Sequence, residues 1–213
     1  KLPLADLEDD MNLIEDMVKY CIDYVLENAP EEMKFFNTMI DKSCIERITK
    51  VRNSDFKRMT YTEAIDLLLQ ADVKFDNKVE WGMDLNSEHE RYICEKIVDG
   101  PVFLTDYPKE IKAFYMRVND DGKPWQPVIC LSRESVSWSA AVSVKNAMMF
   151  GSAYEGYGHD DRQSAVVYGF EKIRSCKHAG FGLGFDRLLM YLTGMQNIRD
   201  VEPFPRTPKN LLF

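Results

Sequence analysis

A glycine-spaced run near the carboxyl end of the sequence contains the residues best suited to chemistry. Gly182 and Gly184 have no side chains, so a flat ring or a phosphate group can approach the backbone there. Arg187 follows at the start of a helical run, where its planar guanidinium can stack on a base or grip phosphate oxygens. His178 lies just upstream and can line the same pocket, but a single histidine is more often structural. The pattern alone fits a nucleotide site and, equally well, a packed strand followed by a surface arginine.

The sequence around this run predicts a strand that passes directly into a helix. Residues 180–185 alternate glycine with apolar residues, and residues 186–192 form a helical run that ends at Gly194. In the first third of the chain, apolar residues recur every three or four positions and predict a helix that ends near Pro30. A second amphipathic helix is predicted over residues 33–48.

Two capping-box patterns predict further helix starts. Thr60 is followed three residues later by Glu63, and Ser87 is followed in the same way by Glu90. The second helix is expected to end at Gly100-Pro101. Two β-prone runs follow, at residues 102–104 and 113–118, and they predict an antiparallel pair.

Composition narrows the class of protein. The chain has 213 residues, of which 45% are hydrophobic, so it can bury a core, and no run is long enough to cross a membrane. Its five cysteines are widely spaced without a CxxC pair, which favours a reducing cytoplasm over a disulfide framework or a zinc site. The net charge of −8 opposes nonspecific binding of nucleic acid, so any such contact must be local.

Four sequence blocks together resemble the bacterial-type asparaginyl-tRNA synthetases, a family of class II aminoacyl-tRNA synthetases. The blocks are Trp81 to Tyr92, Thr105 to Arg117, His178 to Arg187, and Asn197 to Pro208. They occur in the family's order, and the blocks from His178 onward correspond to class II motif 3 and that family's tail. The resemblance covers residues 1–123 and 175–213.

The resemblance implies an α+β fold, in which helices flank an antiparallel six-stranded catalytic sheet, and a homodimer. It implies that ATP and Mg²⁺ are used to activate asparagine as asparaginyl-adenylate, and that the acyl group is then transferred to tRNA(Asn). By the same resemblance Arg187 is the catalytic, ATP-binding arginine, and Gly182 and Gly184 lie flat against the nucleotide. His178 would lie beside the amino-acid pocket, with Glu88 and Tyr115 in its wall, although for these two a structural role is equally compatible. No metal ligand is assigned.

The sequence departs from the family pattern in two places. The chain starts just after the position of motif 2, so we expect it to lack the anticodon-binding OB domain and motifs 1 and 2, and to be inactive alone. Residues 124–174 do not match, and only seven of the 42 residues from Pro124 to Ala165 are charged. If the codons of this segment are read in a shifted frame, the genetic code permits the family's GELVGG strand and its WYLDLRRFG-like segment at these positions. We therefore expect this segment to be out of frame, to supply no central strand of the sheet and to be poorly ordered, with a natural insertion as the alternative.

Two other functions stay open at this stage. One is a non-catalytic synthetase paralogue that acts as a binding or dimerisation module. The other is an asparagine synthetase, related to the same catalytic domain, that works without tRNA.

Overall fold

The mixed pattern of helical and strand periods gives a sheet with helices around it. A computed structural model describes residues 2–111, 128–132, 135–144 and 178–208. The strands of this part of the chain are β1 (Leu2–Pro3), β2 (Lys57–Thr60), β3 (Val102–Thr105), β4 (Val128–Ser132), β5 (Ser135–Val144) and β6 (His178–Leu183). The helices are α1 (Leu7–Asn28), α2 (Pro30–Met39), α3 (Cys44–Asn53), α4 (Tyr61–Leu69), α5 (Ser87–Tyr92) and α6 (Phe185–Thr193).

The strands form one sheet in the order β1-β6-β5-β4-β3-β2. The pairs β1–β6, β3–β4 and β4–β5 are antiparallel, whereas β2 and β3 run parallel with Lys57 opposite Val102. The predicted α+β class with a mainly antiparallel sheet is therefore confirmed. Strand β3 does form, but its partner predicted at residues 113–118 lies outside the described residues.

The expectation that residues 124–174 would not supply central strands is wrong for β4 and β5. Both strands lie in the middle of the sheet, between β6 and β3. The physical reason is local, because residues 135–144 alternate small or polar residues with apolar ones at the period of a strand. The buried strand β3 also offers β4 a complete antiparallel edge, from Val102 to Leu104.

The chain divides into two compact units, Lys1–Ile14 with Phe56–Gly182 and Glu15–Asp55 with Leu183–Phe213. In the first unit, α4 packs against β2 and β3 and buries an apolar cluster. Its largest fully buried side chains include Tyr61, Ile65, Leu68, Ile93, Leu104 and Tyr107. In the second unit α2, α3 and α6 pack on one another.

Local signals decide where several helices begin and end. Thr60 caps α4 through the predicted box, because its hydroxyl accepts from the Glu63 N–H and the Glu63 carboxylate accepts from the Thr60 N–H. The second box forms one residue earlier than predicted, with Asn86 as the N-cap and His89 as its partner. After α5 the chain continues as a π-helical turn, Ile93–Ile97.

The helix predicted over residues 33–48 is instead two helices. It is interrupted after Met39 because the Asp41 carboxylate accepts hydrogen bonds from the Ser43 N–H and hydroxyl, which stabilise a turn before α3. Among the helices described, none combines the length and apolar character that crossing a membrane requires.

Candidate functional site

The junction between β6 and α6 has the form that the glycine pattern predicts. Strand β6 ends at Leu183, Gly184 is the extended N-cap residue, and α6 begins at Phe185. Because the N-cap residue is glycine, it has no side chain that could accept a hydrogen bond from the first N–H groups of the helix. Helix N-termini with free N–H groups attract anions such as phosphate.

The two glycines differ in what surrounds them. A Cβ atom at Gly182 would have no neighbour within 4 Å among the described residues, so packing there does not require glycine. A Cβ atom at Gly184 would lie 3.5 Å from Cδ of Arg187, which is an ordinary van der Waals distance. Packing within the described part of the chain therefore explains neither glycine.

Arg187 lies in the first turn of α6, with an exposed side chain that extends along Gly184. A guanidinium at this position can approach phosphate oxygens near the helix N-terminus, or stack on a base placed against the glycine strand. The structure therefore brings Arg187 and Gly184 together, as the sequence predicts.

Glu88 makes contacts that serve the protein itself. Its carboxylate accepts hydrogen bonds from the backbone N–H groups of Asp76 and Asn77, at 2.9 and 2.8 Å, and from the Asn77 side-chain amide. These hydrogen bonds lower the pKa of Glu88, and the bond from the Asn77 side chain has the largest effect. These contacts favour a structural role for Glu88, because they attach the loop at residues 76–77 to the start of α5.

The neighbouring His89 strengthens the same attachment. Its ring is fully buried, Nδ1 accepts from the Asn86 N–H, and Nε2 lies 3.0 Å from the carbonyl oxygen of Asn77. A neutral ring with the proton on Nε2 satisfies both contacts. The ring of Phe75 also contacts the His89 ring in an edge-to-face arrangement. Sequence analysis assigned no role to His89.

The side chains of two predicted site residues lie outside the described part of the chain. His178 begins β6, where its backbone pairs with Pro3, and this is all that is described of it. Tyr115 lies outside the described residues. Both assignments stay predictions.

The described part of the chain does not fit a metal ion by itself. Within it, no three His, Cys, Asp or Glu side chains are grouped in a way that could hold one. No chemical step is therefore derived through magnesium.

One buried acid near the strand was not singled out from the sequence. Asp10 of α1 is fully buried, and within the described part of the chain neither of its oxygens meets the criteria for a hydrogen bond. Burial raises its pKa to about 6, and the nearby backbone of Gly180 acts in the opposite direction. The sequence did carry a signal, because Asp10 lies between Leu7 and Ile14 on the apolar face of the helix.

Comparison with known proteins identifies the family to which the chain belongs. The family model described as tRNA synthetases class II (D, K and N) matches residues 2–208. Asparagine--tRNA ligase of Clostridium tetani is 49% identical over 214 residues, which covers 100% of this chain and 46% of the relative. Asparagine--tRNA ligase of Bacillus cereus is 50% identical over 216 residues, with the same coverage. The chain thus spans about half the length of the curated relatives it matches.

A solved structure shows the same architecture. Asparaginyl-tRNA synthetase from Pyrococcus horikoshii, complexed with asparaginyl-adenylate, superposes with a TM-score of 0.82 at 30% identity. The match covers 98% of this chain and 46% of that protein. On the family match across nearly its whole length, and on this fold, the chain belongs to the class II tRNA synthetases (D, K and N).

Proposed function

We propose that the protein to which this chain belongs is an asparagine–tRNA ligase. It uses ATP to activate asparagine as asparaginyl-adenylate, with release of pyrophosphate, and then transfers the asparaginyl group to tRNA(Asn). The relatives from Clostridium tetani and Bacillus cereus carry this name at 49% and 50% identity. The observation that carries the proposal is the exposed Arg187, which lies against Gly184 at the start of α6.

In this proposal the β6–α6 junction binds ATP. The adenine ring lies on the backbone at Gly182, where the described chain leaves space, and the guanidinium of Arg187 stacks on it and reaches the γ-phosphate. The carboxylate of asparagine attacks the α-phosphate in line, and pyrophosphate leaves. Arg187 contributes by orienting the triphosphate and by neutralising the negative charge on the leaving group.

The remaining assignments are part of the same proposal. His178 lies beside the asparagine pocket at the start of β6, and Tyr115 forms part of its wall. Glu88 is the weaker candidate for that wall, because its carboxylate already accepts three hydrogen bonds from residues 76 and 77. The enzyme works as a homodimer in the cytoplasm and uses ATP together with Mg²⁺.

The test compares two arginines that differ in position. Arg187→Ala, made in the complete protein that carries this chain, removes a charge contact that strengthens in the transition state. We expect kcat/KM for ATP in asparagine-dependent pyrophosphate exchange to fall about 30- to 1000-fold. This decrease corresponds to a loss of about 2–4 kcal/mol of transition-state stabilisation. Arg52→Ala is the matched control, because Arg52 is exposed on α3 and pairs only at the surface with Asp23.

The outcomes separate the alternatives. Equal kinetics for Arg187→Ala and the wild type would remove Arg187 from the site. If the wild-type protein neither exchanges pyrophosphate nor binds ATP, the non-catalytic paralogue becomes the better description. Formation of free asparagine from aspartate and ammonia would identify the tRNA-independent synthetase instead.

A further inference from the structure

The carboxyl end of helix α6 is held by side chains of helix α3. Arg47 is buried, with 7% of its surface exposed, and its guanidinium donates a hydrogen bond of 3.0 Å to the carbonyl oxygen of Tyr191. The same group lies 4.9 Å from the centre of the Tyr191 ring, in a cation–π arrangement. One turn earlier on α3, the buried Cys44 thiol donates to the carbonyl of Leu192 at 3.1 Å.

These contacts satisfy backbone groups that a helix end leaves open. The last four carbonyl groups of an α-helix have no partner within the helix. In α6, the Gly194 N–H donates to the Met190 carbonyl at 2.9 Å, so three successive carbonyls at residues 190–192 are engaged. The positive guanidinium also lies at the negative end of the helix dipole, which is the favourable arrangement.

Asp41 fixes the direction of the guanidinium. Its Oδ2 atom lies 3.1 Å from Nη2 of Arg47, and only 20% of its side chain is exposed. Burial alone raises the pKa of Asp41, but hydrogen bonds from Ser43 and Arg47 outweigh burial and lower it. The carboxylate therefore keeps its charge beside the arginine. A lysine, which has no planar fork, cannot reproduce two directed hydrogen bonds together with stacking on the Tyr191 ring.

The helix held in this way is the one whose first turn carries Arg187. Arg187 and Tyr191 are four residues apart, or about 6 Å along the axis of an α-helix. A helix of nine residues has little freedom to bend between these points, so a change at its carboxyl end shifts the first turn as well. No contact between Arg47 and Arg187 is needed for this effect.

We propose that Arg47 is a positioning residue for Arg187, which it acts on through the carboxyl end of α6. The inference rests on the proposed function for its catalytic consequence, because Arg187 is the ATP-binding group there. Its structural part concerns only how Arg47 restrains α6 and can be tested without any ligand.

The first experiment measures amide hydrogen exchange in the full chain with Arg47→Met. We expect exchange in α6, including the Leu188 N–H that bonds to Gly184, to accelerate about tenfold or more, as expected for local opening. Exchange in α2 and α3 should change much less. Arg52→Met, on the exposed side of the same helix α3, should leave α6 unchanged. Unchanged exchange in α6, or an equal rise in α2, α3 and α6, would overturn the proposal.

The second experiment separates positioning from general stability by its kinetics. In the complete protein, Arg47→Lys retains the charge and should raise the KM for ATP about tenfold, while the KM for asparagine stays within about twofold. A variant that only reduced the folded fraction would lower kcat and leave both KM values unchanged, and this result would refute positioning. If the wild-type protein fails to use ATP, the proposed function falls, and hydrogen exchange alone decides the role of Arg47.

Discussion

Replacing Asp10 by asparagine tests whether burial of an ionised carboxylate beside strand β6 destabilises the folded chain. Asp10 is fully buried, and among the residues that the structure describes neither carboxylate oxygen has a well-formed hydrogen bond. Loss of hydration raises its pKa from 3.8 to about 6, although the backbone of Gly180 offsets part of this effect. Asparagine has nearly the same shape and stays neutral at every pH. The substitution also exchanges an acceptor oxygen for an amide NH2 group, whose effect does not depend on pH, so the pH-dependent part of the stability difference reports the ionisation.

The size and sign of the effect follow from proton linkage. The folded state binds the proton more tightly than the unfolded state, so stability is greatest below pH 3.8 and is lost as pH rises through about 6. At about 1.4 kcal/mol for each pH unit, the penalty at pH 7 is about 3 kcal/mol. Between pH 4 and pH 7, the free energy of unfolding of Asp10→Asn should therefore rise by about 2–3 kcal/mol relative to the wild type.

The assay is urea unfolding followed by circular dichroism at pH 4, 5, 6 and 7. Other titrating groups contribute equally to both proteins, so the difference between them isolates Asp10. Asp16→Asn serves as the control, because Asp16 lies on the exposed face of the same helix. Parallel curves for Asp10→Asn and the wild type across this pH range would refute the reasoning.

Two further substitutions test the local signals that set helix ends. Gly194→Ala should lower the free energy of unfolding by about 2 kcal/mol or more, measured by urea unfolding. Gly194 has φ of 76°, and an added Cβ atom would lie 2.6 Å from Cβ of Asp41. A loss below about 0.5 kcal/mol would contradict this prediction. Thr60→Ala should lower the free energy of unfolding by about 1 kcal/mol through loss of the cap on α4, whereas Thr60→Ser should stay near the wild type, and equal losses for both would contradict the capping role.

Features determined by neighbours in sequence were predicted well. The capping box at Thr60 and the end of α6 at Gly194 both depend on residues within one helical turn. The box predicted at Ser87 was wrong by one residue because Asn86 is an equally good cap. His89, whose ring also contacts the carbonyl oxygen of Asn77, is the partner of Asn86 in this capping box.

Features determined by distant partners were missed. Strand β2 has only four residues, of which Lys57 and Arg58 are charged, and it is a strand because it pairs with β3 some 45 positions later. The alternating pattern at residues 135–144 is typical of a strand, whereas the composition of the surrounding residues 124–174 gives no such signal. The place of residues 135–144 in the sheet is set by pairing with β4, which itself pairs with β3.

The candidate site shows the same division between local and distant determinants. Arg187 could be proposed as a ligand-binding group because glycine, strand, helix and arginine are adjacent in sequence, and a family resemblance is read from such blocks. Arg47 could not be singled out, because its bond to Tyr191 joins residues 144 positions apart, and within the sequence it is one of several charged residues of an amphipathic helix. Asp10 is the intermediate case, since a carboxylate on an apolar helix face is visible in the sequence, but its complete burial is not. A motif can therefore indicate the group proposed to contact the ligand, whereas the residue proposed to hold that group in place is visible only in the folded chain.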